Sequence, residues 1–311
     1  MSAINQSLLV PDESDHRDAH DFLDHNDIYY QQIDKASVIW RFSCMKGFFR
    51  QTLDATDDMT FNYALQDFGI LKPWEHIVSE IRRRNRDENS AVKYKLLLLA
   101  RHGQGVHNIA SIMYASEWAS KWRFVGTDGN LVWGPDPLLT PLGRCQAEEN
   151  RSFLETQVQK GMPIPSKFYV SPLTRSIDTM RIEWSSVETS RPLVVDNLRE
   201  TIGINLCHKR SQKGELQAKY QDLDFEDGFP EEDELHLKSQ KREEIWEQFM
   251  RINGVLQDLF SNELQSDDTD DVVSITCHAG TIRAFLSVVG HRGFTIPKGG
   301  IIPVIVKAER N

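Results

Sequence analysis

Residues 93–108 read KYKLLLLARHGQGVHN. Leu96 to Ala100 form an unbroken apolar run. It is far too short to span a bilayer, but it suits a strand buried on both faces. The run ends at Arg101 and His102, and Gly103 opens a turn. HNIASIMYASEWASKW, from His107, then has the spacing of a helix. A buried strand, a glycine turn and a helix are the opening unit of an α/β domain.

The same alternation continues downstream. Thr140 is placed to cap a helix with Pro141 at its first position. KFYVSP predicts a second strand, with a helix from about Arg175, and PLVVDNLRE a third strand. A charged, acidic insertion follows around 211–245, then the helix EIWEQFMRINGVLQDLFSN and the polar loop ELQSDDTDD. VVSITCHA predicts a fourth strand, TIRAFLSVV a helix and IIPVIVKA a last strand. The expected fold class is α/β: a three-layer α/β/α sandwich with a mostly parallel central sheet, occupying residues 93–311.

Ahead of that domain, residues 1–27 are polar and rich in Asp and His, and read as a flexible tail. His16, His20 and His25 invite a metal argument, but no apolar framework is visible to hold them, so no metal site is expected. Residues 28–92 mix aromatic and polar residues and read as an extension packing on the core. Within it, DDMTFNYALQDFGI suggests a turn and short helix ending at Gly69, and IRRRNRDENS a charged linker.

The 311 residues carry a formal net charge of −10 and are 40% hydrophobic. That composition fits a soluble globular protein and argues against a general nucleic-acid binder, which needs surplus Lys and Arg. Cys44, Cys145, Cys207 and Cys277 are scattered, as expected of free thiols in a reducing compartment. No basic segment followed by an apolar stretch opens the chain, so no secretory signal and no membrane span are expected. The expected location is cytoplasmic, with the nucleus as a second possibility.

In parallel sheets, ligands bind at the carboxyl ends of the strands. Those ends carry Arg101, His102 and Asn108; Ser171 and Arg175; Arg199 and Glu200; and Cys277, His278 and Arg283. Two histidines, several arginines and one carboxylate suit phosphoryl transfer. Arginine forks clamp phosphoryl oxygens. A neutral imidazole can attack phosphorus, and a second histidine can hold charge on the transferring group. A carboxylic acid can protonate the leaving oxygen and then activate water. This set needs no metal or cofactor, because the cations themselves stabilise the charge. Cys277, inside a strand, reads as buried packing. His107, Lys209 and Arg210 are either contacts to a distal part of the substrate or surface groups.

LLLLARHGQGVHN, SPLTRSIDT at Arg175 and CHAGTIRA at His278, in that order, resemble the histidine phosphatase superfamily, the phosphoglycerate mutase-like fold. The likeness spans residue 94 to about 308. DNLRETIGINLCHKRS, FNYALQDFGI and RHGQG are similar to fungal phosphomutase-like and plant phosphoglycerate mutase-like members. The resemblance implies that His102 is the phosphorylated nucleophile and that Arg101 and Arg175 clamp phosphate. It implies that Asn108 and His278 complete the phosphate pocket, and that Glu200 donates the proton. Glu200 could instead pair with Arg199, leaving a carboxylate between Trp118 and Asp136 to serve. Gln104 replaces a glutamate common in glycolytic mutases, which puts mutase activity in doubt. The expectation is therefore hydrolysis of a small phosphorylated metabolite. A phosphomutase is the alternative, and a non-catalytic interaction protein a second.

Overall fold

In the computed structural model the leucine run lies inside a seven-stranded sheet, and Leu96 to Ala100 are all essentially inaccessible. The strands are β1 (Trp40–Cys44), β2 (Val92–Arg101), β3 (Lys167–Val170), β4 (Leu193–Val194), β5 (Asp224–Phe225), β6 (Val272–Cys277) and β7 (Ile301–Arg310). Their spatial order is β1-β7-β2-β6-β3-β4-β5. The structure describes residues 7–21, 23–87, 91–238, 241–261 and 271–311.

Strands β2, β6, β3, β4 and β5 run parallel, while β7 and β1 pair antiparallel at one edge. Both β2 and β6 are buried along nearly their whole length, being covered on both faces. Helices surround the sheet. Pro141–Gln159 packs against Thr174–Glu183, and Ile245–Ser261 against Ala279–Val288 and Leu23–Ile33. Thr140 caps Pro141–Gln159 through the Gly143 N–H, 3.0 Å from its hydroxyl. Among the described residues, no helix is long and apolar enough to cross a membrane.

Two expectations need correcting, and two further segments are specified by the structure. First, most of the flexible tail is built structure. Leu9 is fully buried, and Asp12 caps the helix Glu13–His20 by accepting from Ser14 and Asp15 N–H. Further on, Tyr29 and Ile33 of Leu23–Ile33 are buried, Tyr29 edge-on to Phe249. Secondly, residues 81–87 of the supposed linker continue the helix Trp74–Asp87, whose Ile77 and Ile81 share one buried face. The rest of that linker, 88–90, lies outside the described residues. Thirdly, FNYALQDFGI forms the expected turns and short helix ending at Gly69, here the single 3-10 turn Asp67–Gly69, and its Tyr63 and Phe68 join Trp74 in the common core. Fourthly, the acidic insertion is woven into the fold. It contributes β5, and its Leu216, Tyr220 and Phe229 are buried. Of the polar loop 262–271, only Asp271 is described; it accepts from Asn85 and Arg82.

One buried carboxylate gives a stability prediction. Glu183 is 1% exposed; it accepts one hydrogen bond from Asn150, and its Oε2 has no partner among the described residues. Burial pushes its carboxyl up to about 8, so it is protonated in the fold at neutral pH. The unfolded chain ionises near its ordinary value, so folding stability falls as pH rises between the two values. Glu183→Gln, which mimics the protonated acid, is expected to raise stability at pH 8 by about 2–3 kcal/mol. Urea unfolding at pH 5 and pH 8 checks this, because the gain should vanish at pH 5.

Candidate active site

The parallel strands deliver their ends to one place. Arg101 closes β2, and His102 follows it, its N–H bonded to Cys277 O at 3.1 Å. His278 follows β6, and Arg175 lies in the first turn of the helix after β3. Gly103 is needed for packing: a Cβ there would sit 2.3 Å from Gly143 O, where the loop crosses the start of Pro141–Gln159. Gly280 likewise leaves room for Glu200, whose Oε1 would lie 2.5 Å from an added Cβ.

The His102 ring has a fixed tautomer. Nδ1 is 2.7 Å from the carbonyl of Gly103, which can only accept, so Nδ1 carries the proton. Nε2 is left with its lone pair and receives Arg175 Nε–H at 3.3 Å. Burial, and then the charges of Arg175 and Arg101, hold this imidazole well below its usual range. His102 is therefore neutral at physiological pH and presents a nucleophilic nitrogen.

Around it, His278 lies 5.0 Å away between ring centroids and His107 5.5 Å away. His278 Nε2 bonds the Ser171 hydroxyl at 2.7 Å, and Arg175 reaches its Nδ1 at 3.5 Å. Burial and Arg175 also depress His107 and His278. Arg175 is fully buried, and a third N–H bonds Cys207 O at 3.1 Å.

The site opens into a cavity of about 320 Å³. Arg101, His102, His107, Asn108, Glu200, His208, Arg242 and Arg283 line it, with Ser14 and Asp18 from the first helix. Arg175 and His278 stand behind this lining, against His102. Asn108 also accepts the Gly105 N–H at 2.9 Å, fixing the turn after the RHG stretch. Arg101 Nε, His107 Nδ1 and Arg283 Nε are buried without hydrogen-bond partners among the described residues. Such groups are costly unless a ligand satisfies them, and an anion with several acceptor oxygens does so.

Glu200 accepts from Thr201 N–H at 2.8 Å and weakly from Gly280 N–H. Burial alone would raise its carboxyl. His208, Thr201, Arg242 and Arg283 outweigh burial and hold it below its usual range, so it is ionised before substrate arrives. It does not pair with Arg199, which is buried against Asp233 and the His208 carbonyl. No carboxylate of Trp118–Asp136 lines the cavity: Asp136 is taken by Thr174 and Ser211, and Asp128 by Tyr114.

Other expected side chains lie elsewhere. Arg210 is sequestered by carbonyls of Ser211, Pro230, Glu231 and Glu232, and Lys209 is not part of the cavity wall. Thr281 does not cap its helix; its hydroxyl donates to Arg199 O at 2.9 Å. Cys277 is fully buried, its thiol pushed up by burial. Gln104 turns from the cavity, accepting the Thr140 hydroxyl at 2.9 Å.

The residue most clearly missed by sequence reasoning is Asp15. Arg101 Nη1 donates to its Oδ1 at 2.7 Å, Lys298 Nζ does so at 2.7 Å, and Asp15 is 2% exposed. Arg101 is thereby held from behind, with Nη1 also on Ile296 O. The capping pattern Asp12-x-x-Asp15 was the one local signal, since it marks a helix start.

The model of the histidine phosphatase superfamily (branch 1) matches residues 97–295. The chain belongs to this superfamily. A probable phosphoglycerate mutase of Arthroderma benhamiae is 32% identical over 86% of this chain and 84% of its own length. A phosphomutase-like protein 3 of Candida albicans is 34% identical over 76% of this chain and 70% of its own. A solved structure described as mycobacterial hydrolase 1 aligns with a TM-score of 0.43 at 17% identity, covering 70% of this chain and 97% of its own. The family match over residues 97–295 and the mostly parallel seven-stranded sheet bear out the α/β superfamily fold expected from the three motifs.

Proposed function

We propose that this histidine phosphatase superfamily member hydrolyses a small phosphomonoester through a phosphohistidine on His102. The observation that carries the reading is the tautomer of His102. Its own Gly103 carbonyl holds Nδ1–H, and Nε2 points to an arginine beside buried N–H groups that lack acceptors.

Arg101 binds the phosphoryl group through the edge left free by Asp15. A phosphoryl oxygen takes over the Arg175 Nε–H now donated to Nε2, which frees the lone pair. Asn108 and His278 complete the phosphate pocket. Nε2 forms the N–P bond as the P–O bond of the leaving group breaks, and the leaving oxygen takes a proton from Glu200. Water then attacks phosphorus, Glu200 takes its proton, and the N–P bond breaks to release phosphate and restore Nε2. Stabilisation comes from arginine and imidazole groups aimed at the oxygens, so no cofactor takes part.

Glu200 is ionised in the free site, so its proton must arrive with the substrate. A phosphomonoester monoanion brings one, and its second ionisation lies near pH ~6. The value of kcat/KM is expected to fall as pH rises through that range. Glu200→Gln should lose roughly 10²–10³-fold on alkyl phosphates but far less on para-nitrophenyl phosphate, whose leaving group needs no proton. Equal losses on both would move the acid to another group, Asp18 being the second carboxylate of the cavity.

A phosphomonoester panel assayed in the presence of a chelator tests the reading: turnover of at least one class is expected, and inertness toward all would refute it. The names borne by the fungal relatives favour phosphomutase as the second reading. Isomerisation of phosphoglycerate faster than phosphate release would establish it.

A further inference from the structure

The helix that supplies Asp15 presents two further side chains on another part of its surface. His16 and His20 are four residues apart, and their rings lie 4.3 Å apart between centroids. His20 Nε2 is 2.9 Å from Asp58 Oδ2. Thr295 links the set: its hydroxyl is 3.2 Å from His16 Nδ1 and donates to Asp58 Oδ2 at 2.5 Å, and its N–H donates to the same oxygen at 2.8 Å. One donor atom of each of His16, His20 and Asp58 falls within 4.8 Å of the others.

We propose that His16, His20 and Asp58 bind a divalent transition metal of the zinc class, which pins the helix Glu13–His20 to the body of the protein. Two imidazoles and a carboxylate are a three-ligand set suited to zinc, with a water in the fourth position. Hard cations such as Mg²⁺ favour all-oxygen sites. Donors bound tetrahedrally at about 2.0–2.2 Å lie about 3.4 Å apart, so small side-chain rotations close the site. Asp58 is held in place for this role, its carboxylate accepting the Thr295 N–H at 2.8 Å and the Thr295 hydroxyl. Thr295 plays the supporting role that outer partners of metal ligands play, fixing the carboxylate.

The three ligands are not part of the active-site cavity wall, so the ion takes no part in the phosphoryl step. Its effect passes through the backbone. His16 adjoins Asp15, and Asp15 holds Arg101 and Lys298. An ion that ties both ends of this turn to Asp58 stiffens the support of Arg101.

The test uses the full chain, stripped with a chelator and dialysed, with Cys145→Ser removing an exposed thiol. Calorimetric titration with Zn²⁺ alone should show one equivalent bound at micromolar Kd or tighter. The Tm should rise by roughly 5 °C in excess Zn²⁺. Mg²⁺ should do neither. His16→Ala and His20→Ala, each folded by circular dichroism, should each weaken binding by at least about tenfold and remove the Tm shift. If His20→Ala fails to fold, His16→Ala decides, since among the described residues its ring hydrogen-bonds the Thr295 hydroxyl alone. Absence of saturable binding, or binding that survives the histidine substitutions, overturns the proposal. Both readouts are independent of turnover, so the result stands apart from the hydrolase reading.

Discussion

Replacing His102 by alanine is expected to lower phosphomonoester turnover by at least roughly 10⁴-fold while leaving the fold intact. The loss is large because, in the mechanism proposed, the whole reaction path passes through Nε2. The remaining arginines can still bind phosphate, but water attacking directly lacks a positioned nucleophile. Substrate affinity should therefore fall far less than kcat. Thermal unfolding should be nearly unchanged or raised, because the substitution removes a buried imidazole wedged between two arginines and two histidines. Steady-state kinetics and a melting curve on the same sample check both halves. A variant that keeps a tenth of the wild-type kcat would show that His102 is not the group attacked.

Asp15→Asn is the second large effect expected, and it falls on stability and activity together. Its carboxylate is shared by Arg101 and Lys298, all three nearly inaccessible. Breaking a buried ion pair by neutralising one partner leaves uncompensated buried charge, a cost of about 3–5 kcal/mol. In this triad two cations lose their partner at once, although Lys298 keeps Asp12 at 2.9 Å. Arg101 also loses the anchor that sets its plane. A shift of about 1 Å in a phosphate clamp costs roughly 10² in kcat/KM. Chemical unfolding and kinetics on Asp15→Asn measure the two losses. Unchanged values for both would mean that the N-terminal helix merely covers the site. Asp15→Glu, which keeps the charge, should lose less stability than Asp15→Asn.

The contrast between Asp15 and Leu96–Ala100 shows what kind of information a single sequence exposes. The leucine run announces a two-faced buried strand because the signal sits within five adjacent residues. The same holds for the apolar run of β6 and for Thr140-Pro141 at a helix start. Arg101, His102 and His278 could be named because each closes or directly follows such a strand, while Arg175 lies in the helix after β3 and Glu200 beyond the 3-10 turn that follows β4. Topology did the rest, since β2, β6 and β3 are parallel neighbours and bring their ends together.

Asp15 carries no such signal. Its two cationic partners lie 86 and 283 residues away, so a composition-based reading sees only a polar, acidic segment. His16 and His20 were set aside for the same reason: their framework, Asp58 and Thr295, comes from distant stretches. The two-residue strand β5 is too short for any periodicity to appear. Arg199 and Arg210 were weighed for the site by charge and proximity in sequence. Both are consumed by acidic groups and carbonyls of the insertion, which is why that insertion is ordered at its core. The opposition between a net charge of −10 and an anionic substrate is resolved locally. The acidic groups are spent on buried pairs such as Asp15–Arg101 and Asp233–Arg199, while Arg242, Arg283 and the open edge of Arg101 face the cavity.

The most direct measurement is to mix enzyme with excess phosphomonoester, quench within the first turnovers under alkaline denaturing conditions that preserve phosphoramidates, and map the digest by mass spectrometry. A single phosphate is expected on the peptide carrying His102, absent from the His102→Ala variant and lost on acid treatment. Turnover with no phosphorylated peptide at any quench time, or phosphate on a different residue, would contradict the phosphohistidine mechanism.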